Sequence, residues 1–312
     1  MAKKKINLGV IFYGNEKQLK INEQQVRDFK KNLVDFEVKK YDFNKNEQDK
    51  LLKDFKNKKI DTVLKNSYGR GNEAIIESFL ELNHIPYLGS DSKTILTTTS
   101  KFLAKNVFRA HNLPVAKDVF IDKFIWQNNK TGLMAKIVKE IGFPCLIKDV
   151  AGTDSCGIYK VKNKIECLKI LNKVMKIGTE VIVEEFVSYD YEVTCMVVGN
   201  DKPIAYPPIG VVTANKAFLS LEIKNDIGNT LKIIKLPSKI INNVKKLAVS
   251  AHQVLGCKTF SRADILIKGE KLYLLEVDPH PGLRMDSPTV FSARYKGENL
   301  NELFLKFYNL SK

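Results

Sequence analysis

The distribution of apolar residues predicts alternating strands and helices over the first third of the chain. Short apolar runs bounded by turn residues indicate strands, and apolar residues repeated every three or four positions indicate helices. The predicted strands lie at 7–14, 36–43, 60–65 and 85–90, and the helices between them lie at 22–35, 46–57 and 73–84. Strands that alternate with helices form an open sheet of parallel strands covered by helices.

Beyond residue 95 the chain is richer in strands. Ser100 is placed to cap a helix over 100–112, which ends before Pro114. The further predicted helices lie at 131–141, 163–176, 238–255 and 300–310. The further predicted strands lie at 115–121, 142–148, 157–161, 180–187, 191–200 and 204–212. This pattern predicts an α/β protein whose C-terminal part is of the α+β type.

The segment 261–282 carries the clearest chemical signal. Two strand-like runs flank a polar turn at 268–271, which predicts a β-hairpin. Pairing across the turn places Asp264 opposite Glu276, and side-chain alternation places Asp278 on the same face as Glu276. Because like charges that face each other destabilise a sheet, carboxylates kept together in this way are typical of a cation site, and Mg²⁺ bound with a substrate phosphate suits them. A solvated acidic edge is the alternative.

The loop 149–157 lies between two predicted strands. It is therefore neither a Walker A loop nor a dinucleotide-binding turn, because each of those opens a helix. Its backbone N–H groups can cover the phosphates of a nucleotide as a lid, and a plain surface hairpin is the alternative.

Length and composition narrow the class of protein. A chain of 312 residues can fold as two or three subdomains, and no apolar run is long enough to span a bilayer. The basic N-terminus precedes only a short apolar run without a cleavage site, which indicates a first strand and not a signal peptide. Five scattered cysteines without metal-ligand spacing favour reduced thiols in a cytoplasm.

The net charge of +16 raises the question of nucleic-acid binding. The excess is nearly all lysine and is spread along the chain, and no nucleic-acid-binding motif is present. We therefore expect a solvated lysine-rich surface that can attract anionic substrates such as nucleotides, with neither nucleic acid nor membrane as a partner. Binding of nucleic acid remains an alternative that rests on charge alone.

The order of the motifs resembles that of the ATP-grasp enzymes and, within them, the D-alanine–D-alanine ligase family. The resemblance covers nearly the whole chain and is clearest at 85–115, 142–148 with the following loop, 181–186, 205–210 and 261–282. It implies the ATP-grasp fold, with a Rossmann-like N-terminal domain over 1–95, a central subdomain with the lid over 96–187 and a C-terminal catalytic subdomain over 188–312.

The resemblance also implies roles for individual residues. The positions implied for ATP are Lys101 and Lys148 at the phosphates, Glu184, Glu185, Phe186 and Val187 at the adenine, and, if one inserted residue is allowed, Glu192 at the ribose. The positions implied for the metal are Asp264, Glu276 and Asp278, where the family usually has Asn at the third. The family's metal is Mg²⁺, here expected as two ions, with Mn²⁺ as a substitute.

The reacting groups are implied in the same way. Arg262 corresponds to the arginine that steadies the acyl phosphate and the tetrahedral intermediate, and Gly282 and Ser287 correspond to the segment that holds the carboxylate of the second amino acid. Ser155 and Lys224 fall in the lid and in a later loop over 213–230, and a lid role without chemistry is their alternative.

Each of these residues also has a purely structural interpretation. Lys101 alone would be a solvated lysine on a helix surface, and Arg262 beside Asp264 would balance charge. Glu184 and Glu185 would form an ordinary exposed strand end. Lys148 ends an apolar strand, where a charge is less usual.

The chain departs from the family pattern mainly on the side of the first substrate. Glu16 is displaced from the place of the glutamate that holds the first ammonium group, and Ser67 and Tyr68 replace a His-Gly pair. Asp154 lies in the lid, and Arg284 stands where a small hydroxyl residue is common. Because charged pockets discriminate strongly between substrates, we expect Asp154 and Arg284 to alter recognition of the acyl donor.

The function that follows is that of an ATP-dependent carboxylate–amine ligase working through an acyl phosphate. Its substrates are a small-molecule carboxylate and an amino acid, and a homodimer is a possible assembly. The specific alternatives are a D-alanine–D-alanine ligase and a relative with another donor. A nucleotide-binding protein of the same fold without catalysis is the alternative from another class.

Overall fold

The computed structural model of the protein describes residues 4–14, 16–67, 74–152, 157–211 and 231–312, of which residues 16–22 and 67 are described by their backbone alone. The described strands form three sheets, one from each of the three predicted regions of the chain. No helix in the described ranges is both long and apolar enough to cross a membrane.

The first sheet is parallel and has the strand order β2-β1-β3-β4. Its strands are β1 Ile6–Tyr13, β2 Phe36–Asp42, β3 Thr62–Ser67 and β4 Tyr87–Leu88. The helices between them are α1 Glu16–Asn32, α2 Gln48–Lys56 and α3 Ile75–Leu82, with a 3-10 turn at Phe43–Lys45. The predicted parallel α/β unit is confirmed, and the carboxyl ends of β1 and β3 meet at one edge.

The second sheet is antiparallel and has the order β5-β8-β6-β7. Its strands are β5 Asp118–Ile121, β6 Cys145–Asp149, β7 Ile158–Val161 and β8 Val181–Glu185. Its helices are α5 Lys101–Ala110, α6 Lys123–Asn128, α7 Lys130–Lys136, which continues as a π turn over Ile137–Ile141, and α8 Lys164–Lys176. Along the chain, α4 Ser92–Thr99 lies between the last strand of the first sheet and the first strand of the second.

The third sheet has the order β12-β11-β9-β13-β14, with β10 paired to β9. Its strands are β9 Tyr191–Val198, β10 Ile204–Ala205, β11 Ile209–Val211, β12 Leu231–Lys232, β13 Phe260–Lys268 and β14 Lys271–Asp278. Its helices are α9 Ser238–Val254, α10 Pro288–Tyr295 and α11 Leu300–Leu310. The single strand predicted over 204–212 is wrong, because two prolines at 207 and 208, which lack N–H donors, separate β10 from β11.

Helix α11 packs between the first and third sheets and joins them into one core. Phe304 makes an edge contact with Phe29 of α1 at 5.0 Å between ring centroids, and Phe307 stacks on Phe260 of β13 at 4.2 Å. Phe260, Phe304 and Phe307 are fully buried. Helix α11 therefore holds α1 of the first sheet beside β13 of the third.

Among the helices in the described ranges, the sequence pattern missed three, which are α4, α6 and α10. Helix α4 contains a run of threonines, whose branched side chains lower helix propensity, and Asp91 caps it through the N–H of Thr94 at 2.9 Å. Helix α10 has Ser287 as its N-cap and Pro288 in its first turn, a recognisable start signal.

Candidate active site

The hairpin register is the one that the sequence predicts. Asp264 pairs with Glu276 and Arg262 pairs with Asp278, and the register shifts at a bulge between Asp264 and Ile265. A bulge of this kind redirects side chains locally and is common beside active sites. The strands β13 and β14 thus bring an arginine and three carboxylates to one end of the hairpin.

Arg262 lies among these carboxylates. Its Nε and Nη2 donate to the two oxygens of Asp264 at 3.1 and 3.0 Å, and Nη2 lies 3.8 Å from Oδ2 of Asp278. The hydroxyl of Thr194, on β9, donates to Oδ1 of Asp264 at 2.7 Å. Arg262 therefore balances charge, as its structural interpretation holds, and its predicted role at the acyl phosphate and the tetrahedral intermediate stays a prediction.

The carboxylates fit a cation by their chemistry. Burial raises the pKa of Asp278, Arg262 lowers it, and Glu276 and Asp264 raise it further, so that the pKa lies above its usual value. The remaining repulsion among the carboxylates is the kind that Mg²⁺ relieves. Among the described residues, however, no three His, Cys, Asp or Glu side chains converge closely enough to hold a metal ion. The metal-binding role of the three carboxylates stays a prediction.

Lys101 and Lys148 lie on adjoining elements at the base of the predicted lid. Lys101 opens α5, and its ammonium group donates to the carbonyl of Gly152. Burial and the neighbouring Lys148 lower the pKa of Lys101, whereas Glu276 raises it. The charge of Glu276 on the hairpin therefore lies close enough to Lys101 to favour the protonated form of the lysine.

Lys148, on β6, pairs with Oε1 of Glu184 on the neighbouring strand β8. Oε2 of Glu184 accepts from Lys105 at 2.6 Å, and Lys105 lies 2.7 Å from Asp118. Arg109 of α5 completes this network by pairing with Asp118.

Glu184 is 4 % exposed, so the interpretation as an ordinary exposed strand end is wrong for this residue. Burial raises the pKa of Glu184, but Lys148 and Lys105 lower it more, to about 2. Glu184 is therefore a permanently ionised acceptor at neutral pH. Lys105, which is 2 % exposed, was missed by the sequence analysis, although it follows Lys101 by one helical turn on α5.

The other residues implied for ATP lie at the end of β8, in the connection that follows it, and on β9. Glu185 accepts from the N–H of Lys117 at 2.9 Å. The ammonium group of Lys160 lies 3.5 Å from the ring centroid of Phe186. Val187 follows in the connection, and Glu192 lies on β9. Burial and then Glu192 raise the pKa of Tyr189 to about 12.

The residues implied for the second substrate lie on the segment after β14. Gly282 is in this segment, and Ser287, which is buried, accepts from the N–H of Val290 at 3.3 Å as the cap of α10. Arg284 is partly exposed and pairs with Asp286 at 2.5 Å. The structure thus places Arg284 beside a carboxylate of its own loop.

Several predicted residues cannot be placed. Asp154, Ser155 and Lys224 lie outside the described residues, as does Tyr68, and the side chains of Glu16 and Ser67 are not described. Their predicted roles stay predictions.

His280 and Lys65 are the other residues near the hairpin that the sequence analysis missed. His280 Nε2 meets the carbonyl of Lys65 at the end of β3, and the N–H of His280 donates to Oδ1 of Asp278 at 2.9 Å. Burial and the neighbouring Lys65 lower the pKa of His280 to about 3. The ammonium group of Lys65 pairs with Glu77 at 2.6 Å, and both side chains are buried.

Comparisons with known proteins agree with this geometry. The family model described as D-ala D-ala ligase C-terminus matches residues 107–307. A D-alanine–D-alanine ligase of Desulforamulus reducens is 28 % identical over 257 residues, 81 % of this chain and 82 % of that protein. A D-alanine–D-alanine ligase of Carboxydothermus hydrogenoformans is 28 % identical over 282 residues, 88 % of each chain.

Solved structures share the fold. The D-alanine–D-alanine ligase of Bacillus anthracis complexed with ATP has a TM-score of 0.80 at 22 % identity, covering 98 % of this chain and 97 % of that one. The VanG D-Ala:D-Ser ligase of Enterococcus faecalis has a TM-score of 0.80 at 21 % identity, covering 99 % and 100 %. Since the family model spans more than half of the sequence, the chain belongs to the D-alanine–D-alanine ligase family and is an ATP-dependent ligase with the ATP-grasp fold.

Proposed function

We propose that the protein uses ATP to join the carboxylate of one small molecule to the amino group of an amino acid, with release of ADP and phosphate. The observation that carries this proposal is the placement of Arg262 between Asp264 and Asp278 on a hairpin whose far carboxylate, Glu276, acts electrostatically on Lys101. A cationic guanidinium, acidic oxygens and a half-buried ammonium at one site suit phosphoryl transfer followed by acyl transfer.

In the first step a carboxylate oxygen of the donor attacks the γ-phosphorus of ATP, the bond to the bridging oxygen breaks, and ADP leaves. Lys101 and Lys148 offset charge on the transferring group, while Glu184 holds the ammonium of Lys148 in place. When bound at Asp264, Glu276 and Asp278, Mg²⁺ supplies neutralisation of phosphate charge. We propose two Mg²⁺ ions there, for which Mn²⁺ can substitute.

In the second step the amino group of the acceptor attacks the acyl carbon, and phosphate leaves after the amine has lost a proton. The oxygen of the tetrahedral intermediate carries negative charge, which the guanidinium of Arg262 stabilises from its fixed position. A lid over 149–157 that closes on the site would exclude the water that hydrolyses acyl phosphates.

We propose D-alanine as both donor and acceptor for the first test. The similar proteins from Desulforamulus reducens and Carboxydothermus hydrogenoformans are named D-alanine–D-alanine ligases, and that of Enterococcus faecalis is named a D-Ala:D-Ser ligase. The departures at Glu16, Ser67, Asp154 and Arg284 lie on the donor side and favour a relative with another acyl donor as the second candidate.

The test is Mg²⁺-dependent release of ADP and phosphate by the purified protein, with amino acids and carboxylates offered singly and in pairs, in both D and L forms. Product mass spectrometry identifies the amide. Turnover with D-alanine alone would establish a D-alanine–D-alanine ligase, and turnover only with a different carboxylate would establish the second candidate. ATP hydrolysis that no acceptor stimulates, with no amide formed, would contradict the proposal. Glu276→Gln is the matched inactive variant, and Glu270→Gln, at the exposed turn of the same hairpin, is its active control.

A further inference from the structure

His280 is buried where the first sheet meets the third and contacts residues of both. The residue is 9 % exposed, and its ring lies 5.7 Å from the ring of Phe260 on β13. On its other side the ring packs against Gly89, where a Cβ atom would lie 3.2 Å from Nδ1. The ring is therefore held by the start of β13 and by the residue that follows β4.

The hydrogen bond to Lys65 defines which ring nitrogen carries the proton. A carbonyl oxygen only accepts, so Nε2 of His280 is the donor to the carbonyl of Lys65. This contact joins residues that are 215 positions apart in the chain. It connects the carboxyl end of β3 to the segment that follows β14.

The backbone of His280 fixes the carboxylate of Asp278. Its N–H donates to Oδ1 of Asp278 at 2.9 Å, while Oδ2 of the same carboxylate faces Nη2 of Arg262 at 3.8 Å. The direction of this N–H depends on the path of the chain at 279–280, which the ring anchors through its bond to Lys65. Asp278 is thus oriented by Arg262 on one side and by the anchored segment on the other.

Lys65, whose carbonyl accepts the hydrogen bond from His280, is itself held in place by a buried ion pair. Lys65 and Glu77 form an ion pair of 2.6 Å in which the side chains are 5 % and 3 % exposed. This pair links β3 to the first turn of α3, at the sheet edge where open α/β folds bind their ligands. Residue 65 therefore has a defined position from which to hold His280.

We propose that His280 is a positioning residue, which orients the carboxylate of Asp278 for metal-bound nucleotide by anchoring it to the carbonyl of Lys65 in the first sheet. The inference rests on the proposed function, since it assumes that Asp278 is a metal ligand. Partners that orient a ligand without touching the metal commonly change metal affinity by about 10- to 100-fold when they are removed. His280 makes no contact with the reacting atoms and acts only through Asp278.

The test compares three variants at His280 and one control variant, each in the full chain. His280→Leu removes the donor, and His280→Gln restores an N–H near the position of Nε2. His280→Asn is a second donor-removing variant in case leucine destabilises the fold, because its shorter amide does not reach the Lys65 carbonyl. His252→Leu is the matched control, since His252 is likewise a buried histidine whose two ring nitrogens are hydrogen-bonded, to Ser261 and to the carbonyl of Gly199.

The primary readout is binding of Mn²⁺ to the protein with ADP, followed by electron paramagnetic resonance, and thermal unfolding monitors the fold. We expect the Mn²⁺ dissociation constant to rise about tenfold or more in His280→Leu and His280→Asn and to stay within about threefold in His280→Gln. His252→Leu should lower the melting temperature without that rise.

Unchanged Mn²⁺ binding in the leucine and asparagine variants, failure of glutamine to restore it, or an equal rise in His252→Leu would overturn the proposal. Because Mn²⁺ binding needs no turnover, this result is independent of whether the wild-type protein forms an amide. Absence of amide formation with normal Mn²⁺ effects would contradict only the proposed function. Steady-state kinetics then separate the effects: His280→Leu should raise the Mg²⁺ concentration needed for half-maximal rate while the KM of the acceptor stays unchanged.

Discussion

Asp264 and Glu276 face each other directly across the β13–β14 hairpin, at the position where a bulge interrupts the strand register. Two carboxylates in such a pair repel each other, and Arg262 contacts only Asp264 at hydrogen-bonding distance. Arg262 and Lys101 offset only part of this repulsion, so we expect the pair to cost stability in the free protein until a bound cation relieves the rest. We therefore expect the effect of the pair on the free energy of unfolding to change from destabilising to stabilising when a cation binds, which experiments can detect.

Glu276→Gln should stabilise the free protein and weaken its response to metal-bound nucleotide. Removal of one charge from the facing pair should raise the free energy of unfolding by about 0.5 kcal/mol. The same change should reduce the rise in melting temperature that Mg²⁺ with ADP produces, because the stabilisation by a ligand at fixed concentration falls with the logarithm of its affinity. Urea and thermal unfolding with and without Mg²⁺–ADP measure both effects.

The control for this prediction is Glu270→Gln, which removes an exposed carboxylate paired with Lys239 at the turn of the same hairpin. It should change both quantities little, because surface ion pairs contribute about 0–1 kcal/mol. Destabilisation of the free protein by Glu276→Gln, or an undiminished response to Mg²⁺–ADP, would show that the pair does not bind a cation.

Arg262→Lys should slow amide formation while leaving the fold nearly intact. Lysine keeps the positive charge but cannot make the two parallel bonds that Arg262 donates to Asp264. Loss of a fixed donor to a developing oxyanion costs about 10²- to 10³-fold in kcat. Single-turnover kinetics with the substrate pair identified for the wild-type protein measure the change, and Arg294→Lys, at an exposed position on α10, is the control. A rate within about threefold of the wild type would remove Arg262 from the reaction.

The hairpin was predictable because its determinants are local. A two-residue period and a tight polar turn fix the pairing as far as Ile265 and bring Asp264 near Glu276, and the bulge beside Ile265 then sets the two carboxylates opposite each other. The alternating strands and helices of the first sheet are predictable for the same reason. The start of α10 was predictable as well, since Ser287 followed by Pro288 is a typical helix start. Ser287 was instead interpreted as a substrate-binding residue.

The supporting contacts were not predictable because they join distant parts of the chain. His280 meets Lys65 across 215 positions, and Lys105 meets Glu184 across 79. A lysine on an amphipathic helix is normally solvated, and only the packing of α5 against the second sheet buries Lys105. Local sequence patterns identify residues that can bind ligands or react, whereas the residues that orient them are recognised only in the tertiary structure.

Lys105→Met should destabilise the protein. The ammonium of Lys105 lies between Glu184 and Asp118, at 2.6 and 2.7 Å, and all three side chains are at most 5 % exposed. Lys148 and Arg109 still pair with the two carboxylates, but the variant leaves Oε2 of Glu184 buried without its donor, which costs about 1–3 kcal/mol. Urea unfolding at neutral pH measures this loss, and Lys136→Met, which changes an exposed lysine of α7, should stay within about 0.5 kcal/mol of the wild type.

Nucleotide binding should weaken in the same variant if Glu184 contributes to the ATP site, because Lys105 holds one of its carboxylate oxygens. Calorimetry with ADP and Mg²⁺, at a temperature where the variant is folded, tests this second effect. Full stability of Lys105→Met would mean that the network is solvated in solution.

His252 should make the stability of the protein depend on pH between about 6.5 and 4. Burial lowers the pKa of His252 to about 4, against which its bond to the carbonyl of Gly199 acts weakly, whereas the unfolded chain titrates near 6.5. Between these values the unfolded state binds more protons, so the free energy of unfolding falls as the pH falls, by about 3 kcal/mol in total. Urea unfolding of the wild type and His252→Gln from pH 7 to pH 4 should show curves that converge at low pH, because the variant lacks the penalty. Ser261→Ala, which removes the partner of Nδ1 and keeps the ring, should lower stability at every pH and retain the wild-type slope; parallel curves for the wild type and His252→Gln would show that His252 is not the group responsible.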